Sequence, residues 1–265
     1  MRLTLKKSSP IPLFAECLSP DTFCDKTVSE IGDLKCLHGN RVVTLGDFFR
    51  IDEDSPTIEI VGDVSFVRHI GAKMTIGKIS IQGNVGMHLG AEMSGGEIIV
   101  EGNASDWCGA EMRGGRMRIR GNAGNFLGGA YRGSEIGMNR GTILVTGNAG
   151  HECGLRMKRG LISVQGNLGD FAGLHMKGGT LICYGKLGKR TGALMERGTI
   201  LCYKTPQLLQ TFRRNAAYNP VWLRFFLNQY REILPVKKEH IEGIYERYSG
   251  DITELGKGEI LVWKG

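Results

Sequence analysis

A sulfur atom recurs through the middle of this sequence at near-constant spacing. Met74, Met93, Met112, Met138, Met157, Met176 and Met195 lie 19, 19, 26, 19, 19 and 19 residues apart. Thioethers at one repeated position can ligate a soft metal, but a flexible, polarizable side chain filling a regular interior is the commoner use, so this column reads as core. The seven cysteines include no CxxC pair and no zinc-ligand spacing. Cys183 and Cys202 share one position of the repeat and Cys108 and Cys153 another, whereas Cys17, Cys24 and Cys36 follow no pattern; reduced, buried thiols are expected. Of the six histidines, His88, His151 and His175 fall at different positions of the repeat, which argues against a histidine metal site. No nucleophile elbow, P-loop, zincin motif or catalytic carboxylate pair is present. The expectation is no catalytic residue and no metal ligand.

Charge is the remaining chemistry. The chain carries a formal +7, and Lys73, Arg113, Arg140, Arg156, Lys158, Arg159, Lys177 and Arg197 crowd around the repeated methionine. Stacked repeats turn these into a basic ridge along one edge. The ridge is either a solvated face or a site for an anionic partner: an acidic subunit, a polyanionic cofactor tail or nucleic acid. It lacks interleaved aromatics for base stacking, which weighs against nucleic acid.

The elements that position these residues follow from the same repeat. All seven methionines have a glycine three residues later, and six have one three residues earlier; the exception is Glu135 before Met138. After each glycine comes a short run, usually alternating apolar and polar, such as Lys78-Ile79-Ser80-Ile81-Gln82, which is a strand signal. Aligned repeats place Ile79, Ile98, Met117, Ile143, Ile162, Leu181 and Ile200 in one inward column. Ile81, Val100, Ile119, Val145, Val164, Cys183 and Cys202 form the next. Corner residues Asn84, Asn103, Asn122, Asn148 and Asn167 follow glycine, where asparagine tolerates left-handed geometry and hydrogen-bonds along a stack.

This is a solenoid pattern, read as a mainly β fold: a right-handed parallel β-helix of seven glycine-rich turns, since the hexapeptide period of left-handed helices is missing. Residues 1–60 read as an amino-terminal cap, 61–204 as the coil, and 205–265 as a carboxy-terminal helix and tail packing on the coil. The outward positions Ile182, Tyr184, Leu201 and Tyr203 need a cover, and the apolar helix from Asn219-Pro220 to about Leu234 is the expected one. Thr211–Asn215 reads as a connector. The one insertion, seven residues within 128–137, is either a partner contact or a tolerated surface loop. A chain of 265 residues with 41% apolar content can bury a sizeable core, and its 40 glycines are explained by the repeat. No run of about 18 apolar residues occurs and the start lacks a signal-peptide core, so a cytoplasmic protein without a membrane span is expected.

The unit Gly90-Ala91-Glu92-Met93-Ser94-Gly95-Gly96-Glu97-Ile98-Ile99-Val100-Glu101-Gly102-Asn103 resembles the Gly-x-Gly-x-Gly β-helix shared by the carboxy-terminal domain of glutamate synthase and the C subunit of formylmethanofuran dehydrogenase. The cap sequence is similar to that C subunit. Thr211-Phe212-Arg213-Arg214, the apolar helix after Pro220, and the stretch from Tyr248 to Leu261 look most like the bacterial branch, the C subunit of the formyltransferase/hydrolase complex. The resemblance covers nearly the whole chain. It implies a non-catalytic β-helix scaffold within a cytoplasmic heteromeric complex of one-carbon metabolism. There, formyl passes from formyl-tetrahydromethanopterin to a methanofuran-type cofactor and is released as formate during formaldehyde oxidation. Implied partners are a formyltransferase subunit, an amidohydrolase-like hydrolase subunit and a molybdopterin-enzyme-like subunit. The C subunit of a molybdenum or tungsten formylmethanofuran dehydrogenase is the alternative, and a stand-alone binding module for an acidic polymer a third reading. Since methanofuran-type cofactors have a glutamate-rich tail, Arg140, Arg156, Lys158, Arg159 and Lys177 are the candidate cofactor-binding residues.

Overall fold

Short apolar-polar runs between glycine corners cannot bury both faces alone, and in this chain they do so by stacking. The computed structural model describes residues 1–53, 55 and 57–265. The amino-terminal part contains β1 (Arg2–Leu5), β2 (Leu13–Phe14), α1 (Pro20–Phe23), α2 (Val28–Gly32), β3 (Lys35–His38), β4 (Arg41–Thr44) and β5 (Phe49–Asp52). The coil follows with β6 (Ile58–Val61), β7 (Val67–Arg68), β8 (Lys78–Gln82), β9 (Glu97–Val100), β10 (Arg113–Ile119), β11 (Arg140–Val145), β12 (Leu161–Val164), β13 (Lys177–Cys183) and β14 (Arg197–Cys202). The carboxy-terminal part adds β15 (Arg213–Tyr218), α3 (Val221–Gln229), α4 (Lys238–Glu242), β16 (Tyr245–Gly250) and β17 (Lys257–Trp263).

One sheet runs the length of the molecule in the order β15-β16-β17-β14-β13-β12-β11-β10-β9-β8-β6-β1-β5. From β1 to β17 every neighbouring pair is parallel, and identical repeat positions face each other, as in Ile143↔Ile162 and Leu181↔Ile200. Antiparallel strands close both ends: β5 on β1, and β16 on β17. This is the parallel β-helix read from the repeat.

All seven methionines are fully buried, as are the two inward columns. The pairing of methionine with the glycine three residues later has a steric cause. In each turn the Met methyl lies where the glycine of the next turn would place a Cβ, as Met93 does for Gly115 and Met112 for Gly141. A side chain at the glycine would expel the thioether of the preceding turn from the core. Corner asparagines form a ladder: Asn84 Oδ1 accepts the Asn103 amide N–H at 2.9 Å, and Asn103, Asn122, Asn148 and Asn167 each accept one from the next turn. A second ladder, through Asp106, Asn125, His151 and Asp170, repeats the device at another corner.

A second apolar layer covers the outward face of the later turns. Leu144, Leu161, Ile182 and Leu201 pack with Leu223 and Leu227 of α3, Leu234, Tyr245 and Leu261. Helix α3 is therefore the cover, but it stops at Gln229 rather than near Leu234, and Pro220 caps it instead of occupying its first turn. Residues 230–234 form turns ahead of Pro235, whose ring disfavours helix at the preceding residue. Residues 213–215 of the expected connector instead belong to strand β15, which runs on to Tyr218 and pairs with β16. No helix of the described residues is long and apolar enough to cross a membrane.

Candidate anion-binding ridge and aromatic cleft

The repeat fixes where the basic residues go. Parallel register sets Arg113 beside Arg140 on β10 and β11, and Lys177 beside Arg197 beside Lys257 on β13, β14 and β17. Like charges on adjacent strands repel, so an anion bound along the ridge would relieve a repulsion already in the fold.

The five candidate residues do not behave alike. Arg140, Lys158 and Arg159 are exposed, and among the described residues none has an acidic partner. Arg156 and Lys177 are half-buried and both engage Glu135 of the insertion, each at 3.1 Å; Arg156 also donates to the Ser134 carbonyl at 2.6 Å. The Lys177 ammonium first, and then the Arg156 guanidinium, hold the Glu135 carboxyl below its usual range. The insertion is thus stapled to the two following turns by one acid that neutralises two ridge cations. Arg113 is partnered by Glu92 at 3.4 Å. Among the described residues, the ridge cations left without an acidic partner are Lys73, Arg140, Lys158, Arg159 and Arg197.

A feature that the basic residues do not announce lies at another corner. His69, His88, Trp107, Phe126, Glu152, Phe171 and Arg190 occupy one position of successive turns, all with φ between +55° and +64°. Left-handed backbone is unusual for bulky residues. It persists here because backbone amides of these corners, those of His88, Trp107 and Phe126 among them, donate to a carbonyl one turn on. The side chains stack outside the coil: His69 on His88 at 4.5 Å and 7°, and Trp107 on Phe126 at 4.2 Å and 11°. Tyr131 of the insertion leans on Trp107, and its hydroxyl shares a hydrogen bond of 2.9 Å with His88 Nδ1. Between the insertion and the following turns is a cleft of about 310 Å³, lined by Trp107, Phe126, Tyr131, Arg132, Glu152 and Arg156 among others. A sequence signal exists five residues before most of the methionines, but mixed residue types and the displaced fourth turn hide it. His88, His151 and His175 indeed do not line up; His69 and His88 do.

Burial, and then the neighbouring charges of His69 and Arg68, lower His88 to about 4; burial also lowers His69. Both are therefore neutral in the stack near neutral pH. The unfolded chain binds protons at these sites below about 6.5, earlier than the folded chain does, so folding stability is present above 6.5 and falls as pH drops toward 4. The expected result is a thermal midpoint that declines across this window and flattens in His88→Gln. Carboxylates lowered by hydrogen bonding, such as Glu246 at about 2, act in a separate window below their ordinary 4.5. Melting curves from pH 7 to 4 check this, and an unchanged slope in His88→Gln would remove His88 as the cause.

The GXGXG motif family matches residues 67–224, more than half of the chain. Among curated relatives, the C subunit of the tungsten-containing formylmethanofuran dehydrogenase 2 of Methanothermobacter wolfeii is 44% identical over 91 residues, 32% of this chain and 34% of the relative. The C subunit of the molybdenum-containing formylmethanofuran dehydrogenase 1 of Methanothermobacter marburgensis is 43% identical over 88 residues, 32% of this chain and 22% of the relative. The chain thus spans about a third or less of these relatives' length. A chain of the formyltransferase/hydrolase complex (FhcABCD) from Methylorubrum extorquens, a crystal structure in complex with methylofuran, superposes with a TM-score of 0.94 at 32% identity, covering 100% of both chains. On the buried methionine–glycine columns, the parallel register and these likenesses, the chain belongs to the GXGXG family, as a homologue of the formylmethanofuran dehydrogenase C subunit that shares its whole fold with a chain of the formyltransferase/hydrolase complex.

Proposed function

We propose that the chain is the structural subunit of a formyltransferase/hydrolase complex. In that complex a formyl group moves from formyl-tetrahydromethanopterin to a methanofuran-type cofactor and leaves as formate, in one-carbon metabolism of the formaldehyde-oxidising kind. The observation that carries this reading is the superposition over the full length of both chains, caps included, on a member of such a complex crystallised with methylofuran. Chemistry belongs to the partners: a formyltransferase subunit, an amidohydrolase-like subunit and a molybdopterin-enzyme-like subunit.

Arg140, Lys158 and Arg159 supply the free part of a track for the glutamate-rich cofactor tail, with Arg156 and Lys177 behind the insertion. A surface charge contact is worth about 1 kcal/mol or less and is screened by salt. Reversing the three unpartnered candidate residues together, Arg140→Glu, Lys158→Glu and Arg159→Glu, is expected to weaken cofactor retention by about 100-fold at low salt. Complex assembly should survive. Mass spectrometry of the gently purified, tagged complex measures both: loss of cofactor with all partners intact supports the track, and undiminished cofactor removes it. Turnover by the chain alone would overturn the scaffold reading.

Part of the partner surface is α3. Its buried side is Leu223 and Leu227, while Val221, Trp222 and Phe225 are exposed, Phe225 at 73%. Trp222→Ser with Phe225→Ser should leave the melting temperature within about 2 °C, as surface changes do, and reduce co-purification of the partners. Unaltered partner recovery would take α3 out of the interface. The alternative, the C subunit of a molybdenum or tungsten formylmethanofuran dehydrogenase, is favoured by the curated relatives. Either metal in the purified complex would select it.

A further inference from the structure

The fold sorts the seven cysteines by what their sulfurs can reach. Cys108, Cys153, Cys183 and Cys202 are buried in the coil, where burial pushes their thiols up, Cys108 to about 12 and Cys183 to about 11. Cys24 is exposed, and the adjacent Asp25 raises its thiol. Cys17 and Cys36, 19 residues apart in the chain, meet with their sulfurs 3.5 Å apart.

The meeting is built by the cap. Strand β2 pairs antiparallel with β3, Phe14 opposite Leu37, and the turn closed by the Leu18 amide on the Ala15 carbonyl at 3.0 Å carries Cys17 back over Cys36. Cys17 and Cys36 line an open cleft of about 310 Å³ with Phe14, Glu16 and Lys35. Cys17 is half-buried and reachable through the cleft, whereas Cys36 is only 3% exposed. Bonding needs a sulfur separation of about 2.05 Å, so the two sulfurs close from 3.5 Å. Either sulfur can donate in the contact between them. The open Cys17 and the buried Cys36 divide as an attacking and a resolving cysteine do, and their contact lowers the Cys17 thiol and raises that of Cys36 in the same sense.

We propose that Cys17 and Cys36 form a thiol modification site for a low-molecular-weight disulfide of the glutathione class, with Cys17 attacking and Cys36 resolving to an intramolecular disulfide. In the first step the Cys17 thiolate bonds one sulfur of the small disulfide and expels the other as thiolate, which takes up a proton. Cys36 then gives up its proton and attacks the Cys17 sulfur, expelling the second small thiol. Overall two protein thiols and one small disulfide become one protein disulfide and two small thiols; the protein loses two electrons and the small disulfide gains them. The product ties the β2–β3 side of the cap across its cleft, and excess small thiol reverses it.

The test uses the reduced full-length chain and glutathione disulfide, read by thiol titration and intact-mass and peptide mass spectrometry. The wild type should lose two of its seven thiols, with a Cys17–Cys36 cross-linked peptide. Cys36→Ser should instead hold one glutathionyl group on Cys17, formed on the order of tenfold faster than on Cys24, and Cys17→Ser should leave Cys36 unmodified. A wild type that keeps all its thiols, takes glutathione only on Cys24, or links Cys24 to either partner overturns the proposal. Because the wild-type peptide map decides by itself, a misfolded variant does not obscure the answer.

Discussion

Replacing Gly121 by alanine is expected to remove about 3 kcal/mol of stability, at the upper end of overpacking effects, or to prevent folding altogether. A Cβ there would lie 2.6 Å from the Gly102 carbonyl oxygen, 2.7 Å from its carbon and 2.5 Å from Asn103 Oδ1. Two of those atoms are backbone of the preceding turn, and the third is the ladder oxygen that accepts the Asn122 amide. The two backbone atoms cannot retreat without separating two turns, and moving the oxygen breaks the ladder hydrogen bond. Gly133→Ala is the matched control: its φ is +86°, yet nothing lies within 4 Å of the added carbon. Only left-handed strain applies, about 1 kcal/mol. Urea denaturation of both variants measures the gap between close approach and backbone conformation. Equal losses would show that turn-to-turn contact at the asparagine corner is not what requires glycine.

Much of this architecture is legible in the sequence because a solenoid repeats its constraints. The inward columns, the methionine column and the asparagine ladder can be aligned by counting, since each turn meets the same neighbours. What escapes does so for identifiable reasons. Strand β17 is a further rung: Lys257-Gly258-Glu259-Ile260-Leu261-Val262 pairs residue for residue with Arg197-Gly198-Thr199-Ile200-Leu201-Cys202, and Met195 packs against Gly258 just as earlier methionines pack against their glycines. The intervening α3, α4, β15 and β16 break the period and hide it. Strand β15 is exposed at all six residues, so no buried face imposes an alternation on Arg213-Arg214-Asn215-Ala216-Ala217-Tyr218. On the ridge, the basic residues can be counted, but Glu135 cannot be paired with Arg156 and Lys177 before the path of the insertion is known. The meeting of Cys17 with Cys36 likewise depends on a turn with no repeat to announce it.

Ending the chain after Tyr203 is expected to convert a folded protein into an aggregating one. Two losses coincide. The main core ends against Phe212, Ile260 and Val262, so removing them opens the last coil to water at Ile200 and Cys202. The second layer also disappears, leaving Leu144, Leu161, Ile182 and Leu201 as one apolar stripe across successive parallel strands. Each fully buried side chain of this kind contributes about 1.5–3 kcal/mol, and stability of a whole domain is only about 5–15 kcal/mol. Strand β14 would moreover become a bare edge, with all six residues that pair with β17 unpaired on that side. An uncovered parallel edge beside an apolar stripe recruits another copy. Leu223→Asp with Leu227→Asp separates the two losses, since it disrupts the second layer while leaving β17 in place. It should melt several degrees lower yet retain its β circular dichroism and elute as the parent does, whereas the truncated chain should be recovered in aggregates. A soluble, monomeric truncation with the parent's melting temperature would mean that the coil caps itself, and that residues 205–265 serve only the partners.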